Sequence, residues 1–238
     1  MNKETNTSRV LGIAFLIQFV TSFSSAVFLS PAWTVSENIS ETMRKIAGNP
    51  GLVRANILVD MLTALGVIFL GAMLFLTLRR QNEKMALTAL GFYLLEASLL
   101  AASRTVSLFL LRISQEYAAA GYPDSLRQLG SLAYESMNFA GSTLHMLAFC
   151  FGGILFYYLL YKSVLVPRAL SLWGLITVFP MLAGTVAQVF GYSIPFYFYA
   201  PYVPFELVIG IWIVVKGIQE RPETAGVRHV SSISPVTL

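Results

Sequence analysis

Charge is scarce in this sequence: Lys, Arg, Asp and Glu together make up 12% of 238 residues. A chain so poor in charge falls outside the polar disordered class, and its 17 glycines, near an average share, exclude a collagen repeat. The single cysteine, Cys150, excludes a disulfide framework and a redox pair; set between Phe149 and Phe151, it reads as packing. There are two histidines and no His-Glu-x-x-His run, so zinc and bis-histidine haem lack their usual ligand sets. No glycine-rich phosphate loop is present either. What is abundant is apolar surface: 56% of residues are hydrophobic, and they gather into stretches longer than ordinary strands or amphipathic helices.

Six such stretches stand out, at about 10–28, 56–78, 87–111, 139–161, 169–191 and 198–217. Each is long enough for about 30 Å of helix, the thickness of a bilayer's hydrocarbon core. The expected fold class is therefore all-α, a polytopic membrane bundle of six transmembrane helices. The first stretch also resembles a signal peptide, because Lys3 and Arg9 precede it and Ser24-Ser25-Ala26 supplies small residues; cleavage there would leave five spans. Its length favours retention.

Basic residues near helix ends resist translocation and so set orientation. With six spans both termini share a side, which carries Lys3, Arg9, Arg79, Arg80, Lys84, Lys162, Arg168, Lys216, Arg221 and Arg228 against Glu4, Glu83, Glu220 and Glu223. The other side balances Arg44, Lys45, Arg54, Arg112 and Arg127 with Glu37, Glu41, Glu116, Asp124 and Glu135. Both termini are thus expected in the cytoplasm of a multi-pass cell-membrane protein, and a bacterial inner membrane fits. Since the net charge of +4 comes from this asymmetry, the basic pI gives little support to nucleic-acid binding.

The expected layout is a short cytoplasmic N-terminus (1–9), a membrane domain (10–219) and a flexible tail (220–238). Outer interfacial segments are expected near 36–50 and 112–137, where Leu126, Leu129, Leu132 and Ala133 recur at helical spacing. Pro123-Asp124-Ser125 reads as a turn and helix start in which Asp124 or Ser125 caps exposed amides. Tyr192, Phe196, Tyr197, Phe198, Tyr199 and Tyr202 crowd the last turn and read first as an interfacial aromatic belt, second as a stacking site for a sugar or headgroup. Pro201 and Pro204 suit the first turn of the last helix.

The remaining polar residues carry the functional argument, since an ion in hydrocarbon costs at least a few kcal/mol. Asp60, Glu96, Arg104 and Glu206 lie inside the stretches, joined by His145 and Gln188. Counting along each helix puts most of them in the outer half and Glu96 nearer the midplane, which suggests a shared water-accessible cavity opening outward. Asn56 with Asp60, and Asn138 with Ser142 and His145, share helix faces, as Glu96 does with Ser103 and Ser107. Arg104 is expected to pair across helices with Asp60 or Glu206. One arginine cannot neutralise three carboxylates, and Glu96, the deepest, is the foremost protonatable candidate. Each residue also has a plainer role: a structural ion pair for Arg104, a helix-terminus anion for Glu206, a hydrogen-bonded packing histidine for His145. Ser142 and His145 lie one turn apart on one helix without a nucleophile elbow, so no catalytic residue, metal ligand or cofactor is assigned.

The opening Arg9-Val10-Leu11-Gly12-Ile13-Ala14, the Asn56–Asp60 pair, the Glu96 and Arg104 helix, and Pro201-Tyr202-Val203-Pro204-Phe205-Glu206 followed by Gly210 and Trp212 form a further pattern. Across roughly 8–219 it resembles a family of uncharacterised bacterial multi-span membrane proteins catalogued as a domain of unknown function, DUF4386-like. The resemblance implies membrane class and topology and carries no chemistry. The leading functional expectation is an integral membrane protein with an outward-facing polar cavity for a small ligand, ion or lipid headgroup, in a transport-like or binding role, surrounded by membrane lipids. The alternatives are a structural or sensory envelope protein without catalysis, and a membrane-embedded hydrolase using His145 and carboxylates.

Overall fold

The computed structural model describes residues 3–35 and 37–218; the expected tail at 220–238 lies outside them. The described residues are helical throughout, with no strand. The first rod comprises α1 (Lys3–Ser24), a π-helical turn (Ser25–Leu29) and α2 (Ser30–Trp33). A short α3 (Ile39–Gly48) is capped by Asn38, whose side chain accepts from the Glu41 amide at 3.0 Å. Then come α4 (Pro50–Leu78), α5 (Glu83–Ala119) and a second composite rod made of α6 (Asp124–Asn138), a second π-helical turn (Phe139–Leu144) and α7 (His145–Ser163). The chain closes with α8 (Arg168–Val189) and α9 (Val203–Lys216).

Among the described residues, five helical stretches are long and apolar enough to cross a membrane: Arg9–Trp33, Pro50–Leu78, Glu83–Ala119, Asp124–Ser163 and Arg168–Val189. Their outward faces carry Ile17, Leu58, Leu65, Phe109, Ile176 and Phe179, each exposed. Water would penalise such a surface, and acyl chains would not. At 14 residues α9 spans about 21 Å, and Phe196–Phe198 forms a separate 3-10 turn before it.

Around the bundle the order is α9, α1, α4, α5, α7, α8, with α8 returning to a lighter contact with α9. Neighbours run antiparallel, so Arg9, Arg79, Arg80, Lys84, Lys162, Arg168 and Lys216 gather, all exposed, at one end. This basic end is packed solid by Leu11, Phe15, Leu74, Leu78, Phe156 and Ile213. α1 and α9 touch backbone to backbone there: a Cβ on Gly12 would stand 2.9 Å from the Gly210 carbonyl oxygen.

At the opposite end the segment expected near 36–50 holds the separate helix α3, and the one expected near 112–137 holds the end of α5 and most of α6. With 37 residues, α5 measures about 55 Å and overshoots a bilayer core by several turns. The overshoot packs with α3 and α6 around a second apolar cluster containing Trp33, Met43, Ile46, Leu111, Tyr117 and Met137, which forms a cap. Thus 112–119 continues a span and 124–138 leads unbroken into α7. At the start of α6 no side chain caps the amides; Asp124 Oδ1 accepts from Arg127 Nε at 3.0 Å, an exposed i,i+3 pair.

Candidate functional site

Between the packed basic end and the cap lies a cavity of about 570 Å³. Asp60 from α4, Glu96 and Arg104 from α5, His145 from α7, Gln188 from α8 and Glu206 from α9 all line it. Asn138 and Ser142 line it as well, whereas Asn56 and Ser103 stand behind Asp60 and Arg104 and hold them in place. Five helices that are distant in sequence deliver these groups: Asp60, Arg104, His145, Gln188 and Glu206 lie in the cap half of their helices, and Glu96 lies short of the middle of α5, toward its basic end.

Asp60 is the hub of the first network. Its Oδ2 accepts from Arg104 Nη1 at 2.9 Å and from Asn56 Nδ2 at 3.0 Å, and its Oδ1 accepts from Ser25 Oγ at 2.5 Å. Asn56 also donates to Ser25 Oγ at 2.8 Å, while its Oδ1 accepts from Trp33 Nε1 at 2.8 Å and Ser30 Oγ at 3.0 Å. Arg104 Nε donates to Ser103 Oγ at 3.0 Å. Of the two carboxylates open to Arg104 in the sequence, the structure gives it Asp60. The ion pair and its hydrogen bonds lock α4 and α5 to the first rod, and these extra bonds make the desolvated charges tolerable. Arg104 Nη2 is left beside Gly141, at a distance only a glycine permits.

The second network holds Glu206. Tyr202 Oη donates to Glu206 Oε1 at 2.9 Å and sits 2.5 Å from Tyr157 Oη, so the Tyr157 proton points to Tyr202. Tyr202 is 5% exposed, so the aromatic belt divides: Tyr192 and Tyr197 project outward, at 70% and 67% exposure, while Tyr202 turns into the core.

Glu96 has neither kind of support. It is 4% exposed, makes no hydrogen bond to any described residue, and its Oε2 is buried without a partner. It lies within electrostatic reach of Glu206. Among the described residues no cation pairs with Glu96 or Glu206, because the sole arginine in the cavity wall is committed to Asp60. His145 Nδ1 is likewise buried without a partner and lies within reach of the Arg104 charge. Among the described residues no carboxylate bonds to it. No group of three or more His, Cys, Asp or Glu side chains among the described residues is placed to hold a metal.

Two features escaped the sequence reading. Both π-helical turns lie in the cavity wall, where the first aims Ser25 at Asp60 and the second places Gly141 against Arg104. Such bulges re-aim side chains and recur at functional sites. The first rod also supplies Gln18, Ser22 and Ser25 to the wall. Their i, i+4, i+7 spacing was the available signal, obscured by the similarity of Ser24-Ser25-Ala26 to a cleavage site.

Searches of curated proteins and of solved structures gave no match. A family model, "Domain of unknown function (DUF4386)", matches residues 10–217 and so takes in every helix that lines the cavity; the chain belongs to that family.

Proposed function

We propose that the chain is a multi-pass protein of the cell membrane that binds a small ligand or ion in the cap-end cavity, with six spans and both termini cytoplasmic. One observation carries this reading: Asp60, Glu96, Arg104, His145, Gln188 and Glu206, from five helices, line one cavity, and two of its carboxylates have no counter-ion. Polar side chains on independent spans would find separate partners if they served packing alone. α9 counts as the sixth span because it pairs along its length with α1 and ends beside the other basic helix ends. The asymmetry of basic charge supports a cytoplasmic position for that end and an outer one for the cap. Since the basic end is filled by apolar side chains, the arrangement resembles one state of a transporter, open to one side and sealed on the other. The Asp60–Arg104 network reads as structural within this site, because the two charges neutralise each other and Ser25, Asn56 and Ser103 hold them in place.

Cysteine labelling in intact cells tests both access and sidedness. Cys150 is fully buried and serves as a silent background. Ser142→Cys in the cavity wall and Asp124→Cys on the cap are expected to react with a small membrane-impermeant maleimide, and Arg80→Cys only after permeabilisation. Labelling of Asp124→Cys but not Ser142→Cys would count against an outward-open cavity, and labelling of Arg80→Cys in sealed cells would reverse the topology.

A further inference from the structure

The cavity's occupant is legible in its charge and its walls. Resting on the binding role given above, we infer that the cavity takes an organic monocation, an amine or quaternary ammonium carrying an apolar group. Three carboxylates face it, Asp60, Glu96 and Glu206, against Arg104 and His145. Arg104 has its charge balanced by Asp60 and spends Nε on Ser103, so an anion would meet a guanidinium already neutralised, with Nη2 as its one unbonded nitrogen. Glu96 and Glu206 are left without a cation, and Glu96 Oε2, on a side chain 4% exposed, lacks even a hydrogen bond. An unpaired carboxylate in that position must hold a proton or attract a cation.

The walls separate organic from inorganic cations. Phe149, Tyr199 and Tyr202 surround the carboxylate end, Phe149 and Tyr202 meeting edge to face at 5.2 Å, while Phe19, Phe23 and Trp33 line the first-rod side. Aromatic faces attract a weakly hydrated ammonium and accept its apolar substituent by burial. A metal ion would need several oxygen ligands converging, and the described residues offer no such cluster. A proton alone would need no space, whereas about 570 Å³ is the size of site that holds a small organic molecule.

The experiment uses the full chain in lipid nanodiscs and three probes of similar shape: benzyltrimethylammonium, its neutral isostere neopentylbenzene, and benzenesulfonate. Binding is read by calorimetry against empty nanodiscs, and its place by protection of Ser142→Cys from maleimide. Benzyltrimethylammonium is expected to bind saturably and to protect Ser142→Cys, and the neutral isostere to bind about tenfold more weakly or worse. Glu96→Gln and Glu206→Gln should each weaken the ammonium by about tenfold and leave the neutral probe unchanged. Equal or tighter binding of neopentylbenzene or benzenesulfonate, with protection, would overturn the cationic assignment and leave the binding cavity standing. Failure of all three probes to protect Ser142→Cys would overturn both. If a glutamine variant does not assemble, the comparison of charged and neutral isosteres on the parent protein still decides.

Discussion

Arg104 and Asp60, 44 positions apart in sequence, meet at 2.9 Å between α5 and α4 and are each buried to nine-tenths or more. A pair in that setting contributes little net stability over apolar packing, yet removing one partner exposes the whole desolvation penalty of the other. Arg104→Leu is expected to destabilise the protein by about 3–5 kcal/mol, read as a lowered melting temperature in detergent. Adding Asp60→Asn should recover part of that loss, since Ser25 keeps an acceptor and no charge remains stranded. Unchanged melting of Arg104→Leu would show that the pair does not form.

A different kind of loss is expected at Tyr202, which donates to Glu206 and accepts from Tyr157 with a single hydroxyl. Tyr202→Phe removes both bonds and leaves buried groups on either side, a cost of roughly 1–3 kcal/mol. Glu206→Gln keeps a carbonyl acceptor for Tyr202 and should lower the melting temperature less. If the two substitutions reversed in severity, Glu206 would be held by something other than this hydroxyl.

How far these relationships could be read from the chain depends on their range. Asn56 and Asp60 were legible because an i,i+4 spacing fixes a shared face whatever the tertiary fold, and their side chains do bond at 3.0 Å. The choice of Asp60 over Glu206 as partner to Arg104 was not, because depth in the membrane is a single coordinate and leaves the helix order around the bundle open. The overshoot of α5 was hidden by Arg112 and Glu116, which end the hydropathy run eight residues before Ala119 ends the helix. The π-helical turns were invisible because no residue type demands them: Ser25 and Gly141 acquire their aim only from the neighbours they meet.

Gly141 gives the sharpest steric test of that second turn. A Cβ there would stand 2.6 Å from Arg104 Nη2 and also collide with Ser103 Oγ, the group that accepts from Arg104 Nε. Gly141→Ala should therefore push Arg104 off its position and cost about 1–3 kcal/mol, the range for an overpacked interior. Pairing it with Ser103→Ala removes the collision with Oγ, leaving those with Arg104 Nη2 and Ser103 Cβ, and should restore part of the stability. Equal melting of Gly141→Ala and the parent would mean that α5 and the π-helical turn before α7 stand farther apart than these distances.

Gly12 poses the same question at the basic end, where the obstacle is backbone. Its added Cβ would lie 2.7 Å from the Val214 amide nitrogen and 2.9 Å from the Gly210 oxygen, and neither can rotate away. Gly12→Ala is thus expected to force α1 and α9 apart, with a loss of melting temperature that trimming a side chain on α9, as in Val214→Ala, cannot repair. Repair by that second change would place the conflict in the Val214 side chain and not in the main chain.

Glu96 should behave in the opposite way to Arg104, and the contrast separates binding from architecture. It makes no hydrogen bond, so Glu96→Gln removes no donor's partner and relieves repulsion from Glu206. The variant is expected to melt within about 1 kcal/mol of the parent, or above it, because the desolvation of a charge is lifted. A group engaged in neither a hydrogen bond nor an ion pair is free to direct its charge at what enters the cavity. A large loss of stability in Glu96→Gln would instead assign Glu96 to the packing of the bundle.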